Sequence, residues 1–355
     1  MKAVNNRRTG LLVASALASG LWATSAAAQT SVTVYGIVDA ALAHTNNVDA
    51  AGNSVTKVGS LSGSLPSRIG FRGSEDLGGG LSAVFALESG FNPDTGTSGQ
   101  GGRLFGRQAW VGLKGQWGTL QIGRVLNMSF FATAKSDVLG PNLFSINSID
   151  PYLPNARSDN AVSYLGTYNG ITAGASYSFG RDASAADSKA CRQFTALLGY
   201  ETRTYGVNAT YDKLQGHAGA AGGLNSSDRF DRRVTATGWV MLGTTKIGGG
   251  IIGRKTDAAT GITESALYYL GVSHPLAPRV TLDAQVARRD LKDSRDDTSM
   301  LVARLTYAFS RRTAAYAALG RMDNDGAAAV ALDAGGTVAP GRAQNGVMAG
   351  IRHSF

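Results

Sequence analysis

The stretch SVTVYGIVDAAL, residues 31–42, alternates between two kinds of side chain. One face of an extended chain would carry the apolar residues Val34, Val38, Ala40 and Leu42. The opposite face would carry Thr33 and Asp39. A period of two residues predicts a β-strand with one apolar face and one face of different character.

The same alternation recurs along the chain, for example in RVTLDAQVARR, residues 279–289. There the apolar residues Val280, Leu282, Ala284 and Val286 alternate with Thr281, Asp283, Gln285 and Ala287. The short links between such runs are residues 76–80, 115–118, 169–170, 201–206, 243–245, 275–278 and 310–312. Longer links are residues 43–64, 92–103, 126–158, 181–191, 216–231, 257–263, 291–297 and 323–343. These fifteen links join sixteen strands, and Asn169-Gly170 is the clearest hairpin turn.

The first residues predict export from the cytoplasm. A basic start with Lys2, Arg7 and Arg8 precedes an apolar stretch at residues 11–26, and AAAQ at 26–29 offers small residues for cleavage. This is the pattern of a secretory signal peptide, predicted here as residues 1–28. A membrane anchor is the weaker interpretation, because Ser and Thr dilute the stretch. The predicted mature domain is then residues 29–355.

The link pattern predicts a barrel that crosses a membrane. The mature chain has no run of about 20 apolar residues, which a spanning helix needs. A closed barrel is the other structure that satisfies its own backbone in lipid. Short and long links alternate, as do periplasmic turns and external loops. The 355 − 28 = 327 residues leave about twenty for each strand and connection, enough for strands of 9–11 residues. We therefore predict an all-β, 16-stranded antiparallel transmembrane barrel; a soluble sandwich would seldom sort its loops by length.

Composition argues against several other classes. The single cysteine, Cys191, has no internal disulfide partner, and the four histidines show no metal-ligand spacing. We therefore predict no cofactor and no metal. The formal net charge of +9 would suit a nucleic-acid partner, but an exported protein does not meet one. The mixed charge run at residues 288–297 predicts a solvated external loop.

Five segments carry a family resemblance: SVTVYGIVDA (31–40), SRIGFRGSEDLGGGLSAVFALESGF (67–91), GRLFGRQAWVGL (102–113), GTLQIGR (118–124) and GIRHSF (350–355). They resemble the Gram-negative general porins, and most closely their betaproteobacterial type. The resemblance implies a homotrimer in the outer membrane, in contact with its lipids and lipopolysaccharide. It also implies passive diffusion of small hydrophilic solutes and inorganic ions. In this family the loop after the fifth strand folds inward and narrows the channel.

Residues 126–158 occupy the position of that inward loop, directly after GTLQIGR. An irregular segment of this length is usually functional or disordered, and its apolar side chains argue against disorder. The side chains that we expect to pack on the inner wall are Phe130, Phe131, Leu143, Phe144 and Tyr152. We expect Asp137 and Asp150 to face water.

The resemblance also implies the residues of the constriction. Basic wall positions of related porins correspond to Arg68 in SRIGFRG and Arg124 in LQIGR, with Arg72 and Arg157 as plausible neighbours. The acidic half departs from the enteric pattern, because a PEFGG-like stretch is replaced by VLGPNLFSINSIDP. The remaining acidic candidates are Asp137 and Asp150, with Asp159 at the end of the loop. A constriction richer in arginine than in carboxylate should favour anions. Alternatively, the wall arginines are structural partners of Glu75, Asp76 or loop acids.

Two other functions stay open at this point. A substrate-specific channel with a binding site in its lumen would show saturable conductance with one solute. An outer-membrane hydrolase would need a nucleophile, a base and an orienting group brought together. No histidine lies in a recognisable hydrolase motif, and we predict no catalytic residue.

Overall fold

The structure is a computed structural model and describes residues 31–153, 156–181, 184 and 186–355. The predicted signal peptide, residues 1–28, lies outside the described residues. The strands are β1 (Ser31–Thr45), β2 (Val55–Val58), β3 (Arg68–Gly78), β4 (Leu81–Gly90), β5 (Gln108–Gly115), β6 (Gly118–Leu126), β7 (Arg157–Tyr168), β8 (Ile171–Ser178), β9 (Gln193–Glu201), β10 (Tyr205–Gln215), β11 (Phe230–Leu242), β12 (Thr245–Ala258), β13 (Gly261–Ala277), β14 (Val280–Leu291), β15 (Thr298–Ala308), β16 (Thr313–Asn324) and β17 (Gln344–Ser354). The helical segments are the turn α1 (Gly99–Gly102), helix α2 (Met128–Thr133) and a 3₁₀ turn at Ile146–Ser148. No helix in these described ranges is long and apolar enough to cross a membrane.

Sixteen of these strands form one closed antiparallel barrel. From β3 onward each strand pairs with the next, and β17 returns to pair with β1 from Ile37↔Ser354 to Thr45↔Gly346. The lower half of β1 pairs with β3. The four-residue β2 pairs with the end of β1 and belongs to the loop above the barrel. Among the described strands, closure leaves no open sheet edge, as lipid requires, and the predicted fold is confirmed.

The loop lengths agree with the predicted alternation except at residues 257–263. There β12 continues to Ala258 and β13 begins at Gly261, so the connection is only two residues. Thr256 pairs with Thr263 and Asp257 with Ile262 across the hairpin. Threonine and isoleucine favour extended backbone, and these residues prolong both strands where the sequence analysis expected a polar loop.

The two faces of the wall follow the predicted alternation, with apolar side chains outside. On β1, Val34 is 53% exposed, whereas Asp39 on the opposite face is fully buried. On β14, Val286 is 50% exposed and Gln285 is 1% exposed. A soluble domain would bury its valines. An apolar outer band with a polar interior is the arrangement of a transmembrane barrel.

Candidate functional site

Loop L3 connects β6 to β7, and its described residues, 127–153 and 156, lie inside the barrel. It begins with helix α2, whose N-terminus is capped because the Asn127 side chain accepts a hydrogen bond from the Phe130 amide. Helix α2 contacts β8 to β11. The Met128 amide donates to Thr195 Oγ1 (3.2 Å), and Thr237 Oγ1 donates to the Ala132 carbonyl (2.8 Å). Wall hydroxyls therefore take the place of water for the backbone of the loop.

The middle of L3 continues along the next strands of the wall. Ser136 Oγ lies 2.6 Å from the Tyr269 hydroxyl on β13, and Gln285 Nε2 donates to Asp137 (2.9 Å). Arg304 Nη1 on β15 donates to the Leu139 carbonyl (2.8 Å). Asp137 is thus held to the wall by Gln285, and partial burial raises the pKa of its carboxyl. Its side chain remains partly exposed and lines the space between L3 and Arg68, in agreement with the expectation that it faces water.

Gly248 on β12 has no side chain at the point where L3 touches the wall. A Cβ there would collide with the Ser136 backbone carbonyl. We expect Gly248→Ala to destabilise the fold by about 1–3 kcal/mol, typical of overpacking, and to increase brief closures in single-channel records. Gly253→Ala on the same strand is the matched control, because its Cβ would meet only ordinary contact. Equal behaviour of the two variants would show that L3 does not depend on the close approach.

The far end of L3 packs on the external loops and on the inner wall. The Leu143 amide donates to the Ser62 carbonyl in the first loop (3.2 Å), and the Ala334 amide in the last loop donates to the Leu143 carbonyl (3.0 Å). Phe144 is fully buried. The apolar cluster around these residues joins L3 to the wall strands; its members from L3 are Leu139, Leu143, Phe144, Ile146, Ile149 and Leu153. The predicted wall contacts of Leu143 and Phe144 are confirmed.

L3 returns to β11 through a buried ion pair. Arg233 Nε and Nη2 each lie 2.9 Å from one oxygen of Asp150. Arg233 also lies 3.1 Å from Asp231, which in turn pairs with Arg254 (2.7 Å). Burial raises the pKa of the Asp150 carboxyl, whereas the charge and hydrogen bonds of Arg233 lower it. The lowering effects together outweigh the effect of burial, so the pKa lies below its ordinary value. The sequence analysis expected Asp150 to face water. This expectation was wrong: Asp150 is only 5% exposed, because Arg233 holds it against the wall.

Opposite L3, arginines and carboxylates cover the inner wall at β3 to β5. Arg107 Nε donates to Glu88 (2.6 Å), and Arg68 Nε lies 3.5 Å from the second oxygen of the same carboxylate. Tyr35 also donates to Glu88 (2.9 Å). One carboxylate is therefore shared by two guanidinium groups, which leaves a net positive charge.

A second group on β6 and β7 continues this arrangement. Arg124 pairs with Asp159, which also lies 3.2 Å from Arg103. Arg157 Nε donates to the Arg107 carbonyl (2.8 Å). We call Arg68, Arg103, Arg107, Arg124 and Arg157 the arginine cluster. It brings together three of the four arginines that the sequence analysis singled out.

The fourth of them, Arg72, lies outside the arginine cluster. It faces inward on β3, four residues after Arg68. It is exposed, and its guanidinium carbon lies 5.2 Å from the centre of the Tyr35 ring. A space of about 340 Å³ separates the arginine cluster from L3. Its lining includes Arg68 and Arg107 on one side and Phe130 and Pro141 on the other.

Arg107 and Glu88 were missing from the predicted site. Both lie in segments that carry the resemblance, GRLFGRQAWVGL and ALESGF. Glu88 could have been found by its isolated charge near the end of an apolar strand. Arg107 precedes β5, outside any alternating run, so the periodicity did not assign it to the inner face.

The comparison with known proteins decides the family. A family model described as Gram-negative porin matches residues 13–327. The chain belongs to the Gram-negative porin family. The porin is 31% identical to outer membrane porin protein 32 of Delftia acidovorans, over 93% of this chain and 96% of that one. It is 38% identical to an outer membrane porin protein of Bordetella pertussis, over 57% and 59% of the two chains.

A solved structure extends the likeness to three dimensions. The anion-selective porin from Comamonas acidovorans superposes with a TM-score of 0.77 at 26% identity, and covers 92% of this chain and 100% of that one. The predicted family and its betaproteobacterial type are confirmed. The porin is an outer-membrane barrel that forms a passive channel.

Proposed function

We propose that the porin is an anion-favouring diffusion channel whose narrowest part lies between L3 and the arginine cluster. The observation that carries the proposal is the charge of this region. In the described part of the chain, five arginines lie around this region with three carboxylates, Glu88, Asp137 and Asp159, so the arginines outnumber the acids. A low-dielectric wall focuses such a charge into the lumen.

The two acids of L3 differ in their effect on that field. Asp150 is neutralised by Arg233. Asp137 is bonded to Gln285 rather than to an arginine of the cluster, and it lines the space opposite Arg68 and Arg107. L3 thus contributes shape and one carboxyl group to the constriction, and the opposite wall contributes the excess of positive charge. The anion-selective porin from Comamonas acidovorans supports the same preference by likeness.

We further propose that residues 126–158 act as the constricting loop and that Arg68, Arg124 and Arg157 contribute to selectivity with Arg107. Arg72 lies too far along β3 to share the space between L3 and Arg68. We propose a homotrimer, as the family resemblance implies. We propose a passive channel rather than an enzyme, because the paired side chains of the cluster are ion pairs between arginine and carboxylate.

Conductance in a planar bilayer tests the channel. Purified full-length porin under a potassium chloride gradient should insert in steps with three sublevels and give a reversal potential that favours chloride. A potassium-favouring potential would contradict the role of the arginine cluster. Conductance that saturates with a single solute would favour the substrate-specific channel instead, and folded protein that never conducts would contradict both.

A further inference from the structure

A second recess lies in the inner wall, nearer the periplasmic end than the arginine cluster. It is formed by β1 and by β3 to β6, and its volume is about 440 Å³. The connections from β3 to β4 and from β5 to β6 beside it are short, and short turns lie at the periplasmic end of such barrels. We call it the periplasmic pocket; its lining includes Tyr35, Arg72, Gln108, Trp110, Lys114 and Gln121.

Strand register sets the width of the periplasmic pocket. Arg72 on β3 is directly opposite Ala86 on β4, and Ala86 is directly opposite Trp110 on β5. Glu88 is two residues from Ala86 and contacts the arginine cluster, so the whole row faces the lumen. Adjacent strands are about 4.8 Å apart, so Arg72 and Trp110 stand about 10 Å apart. Ala86 contributes only a methyl group, which leaves the space between them open to a molecule with one ring.

The charge of the periplasmic pocket is not balanced. In the described part of the chain its lining includes two cations, Arg72 and Lys114, but no Asp or Glu. Neither cation forms an ion pair with any residue that the structure describes. The Glu88 carboxylate is committed to the arginine cluster, and Asp76 accepts a hydrogen bond from an amide of its own turn (2.9 Å). A small anion in the pocket would therefore meet charge that no carboxylate has neutralised.

Two rings of the periplasmic pocket are held in fixed positions. Tyr35 donates to Glu88 (2.9 Å), and the guanidinium carbon of Arg72 lies 5.2 Å from the centre of the Tyr35 ring. Trp110 Nε1 donates to Gln108 Oε1 (3.0 Å), which satisfies the one polar atom of the indole. The indole is partly exposed, and no ring or cation of the described residues stacks on it. Trp110 thus offers a ring face to the lumen.

A tryptophan on the inner wall needs an explanation. The aromatic girdles of such barrels face the lipid interface, and an exposed indole in a water-filled lumen is unfavourable by the hydrophobic effect. A single wall cation needs none, since it contributes to the field of the channel. The combination is what indicates a ligand: a guanidinium group binds a carboxylate through two parallel hydrogen bonds, and an indole stacks on a ring. A recess of this volume lies within the range of small-molecule sites.

We propose that the periplasmic pocket binds small aromatic carboxylates, the class of benzoate. The carboxylate lies on Arg72, with Lys114 as the second cation, and the ring lies on Trp110. The arginine cluster attracts small anions by charge alone, whereas this pocket distinguishes them by their ring. The inference rests on the proposed function only in that the lumen must admit solutes.

Ligand-observed NMR titration of the intact porin in detergent at low salt tests the site, with benzoate as the probe. Benzoate should bind about fivefold more weakly to Trp110→Leu, the typical contribution of an aromatic pair. It should bind about tenfold more weakly to Arg72→Gln, the typical contribution of hydrogen bonds to a charged group. Propanoate has the charge without the aromatic ring, so Trp110→Leu and the unaltered porin should bind it equally.

Two variants outside the periplasmic pocket are the matched controls. Trp117→Leu removes an exposed tryptophan that stacks on Tyr164 in the turn between β5 and β6. Arg311→Gln removes an exposed arginine from the turn between β15 and β16. Both should bind benzoate as the unaltered porin does. Chloride conductance of each variant in a planar bilayer shows that it folds.

Four outcomes would overturn the proposal. The first is equal benzoate affinity of Trp110→Leu and the unaltered porin. The second is an equal loss in Arg311→Gln, which would indicate a general effect of net charge. The third is tighter binding of glucose 6-phosphate than of benzoate, which would make a sugar phosphate the ligand. The fourth is a porin that conducts chloride but does not bind benzoate, which would leave the channel intact. Benzoate binding by a porin that never conducts would support the pocket and contradict the channel, so the two failures are distinguishable.

Discussion

Replacing Arg107 with glutamine should lower the ratio of chloride to potassium permeability by about tenfold at low salt. Arg107 lies between the shared carboxylate of Glu88 and the space next to L3. A unit charge about 6 Å from an ion contributes about 0.7 kcal/mol in water, which is about threefold in local concentration. The local concentrations of chloride and potassium respond in opposite directions. The ratio of their permeabilities therefore changes by about the square of this factor, which is about tenfold. Reversal potentials in a salt gradient measure it.

Glu88→Gln supplies the opposite result. It removes the acid that Arg68 and Arg107 share, so the chloride preference should rise. Arg107→Lys keeps the charge and should retain the preference of the unaltered porin. A shift in the same direction in Arg107→Gln and Glu88→Gln would show that the cluster does not set selectivity. Higher salt should reduce every difference, because the Debye length falls to about 3 Å at 1 M.

Replacing Arg233 with methionine should have the largest effect on stability, about 3–5 kcal/mol. The Arg233 side chain is 1% exposed and supplies two hydrogen bonds to Asp150. Methionine fills much of the same volume but leaves the Asp150 carboxylate buried without its partner. We expect a lower denaturant midpoint in detergent. We also expect noisier single-channel currents, because L3 loses its return contact with β11.

A double-mutant cycle separates the buried charge from the packing. Asp150→Asn together with Arg233→Met leaves no uncompensated carboxylate at this contact, so the double variant should be more stable than Arg233→Met alone. Asp323→Asn breaks the exposed pair with Arg321 and should leave the midpoint unchanged, since exposed pairs contribute little. A double variant less stable than Arg233→Met would contradict the ion-pair explanation.

The sequence determined the barrel because its information is local and periodic. The residues of each strand show by themselves which face is apolar and which is polar, as Val34 and Asp39 do on β1. The order of short and long links then gives the strand number. The hairpin at β12 and β13 was the exception, since Thr256 and Thr263 are polar residues whose pairing depends on the opposite strand.

Only the tertiary structure decided the partners within the channel. Asp150 and Arg233 are 83 residues apart, and Arg107 reaches Glu88 through a loop whose path no periodicity gives. Strand register likewise places Arg232 on β11 between Lys213 on β10 and Lys255 on β12. Strand alternation is fixed by each residue and its chain neighbours, whereas ion pairs form between side chains that barrel closure brings together. The sequence therefore determined the wall, and the fold determined which charges meet across it.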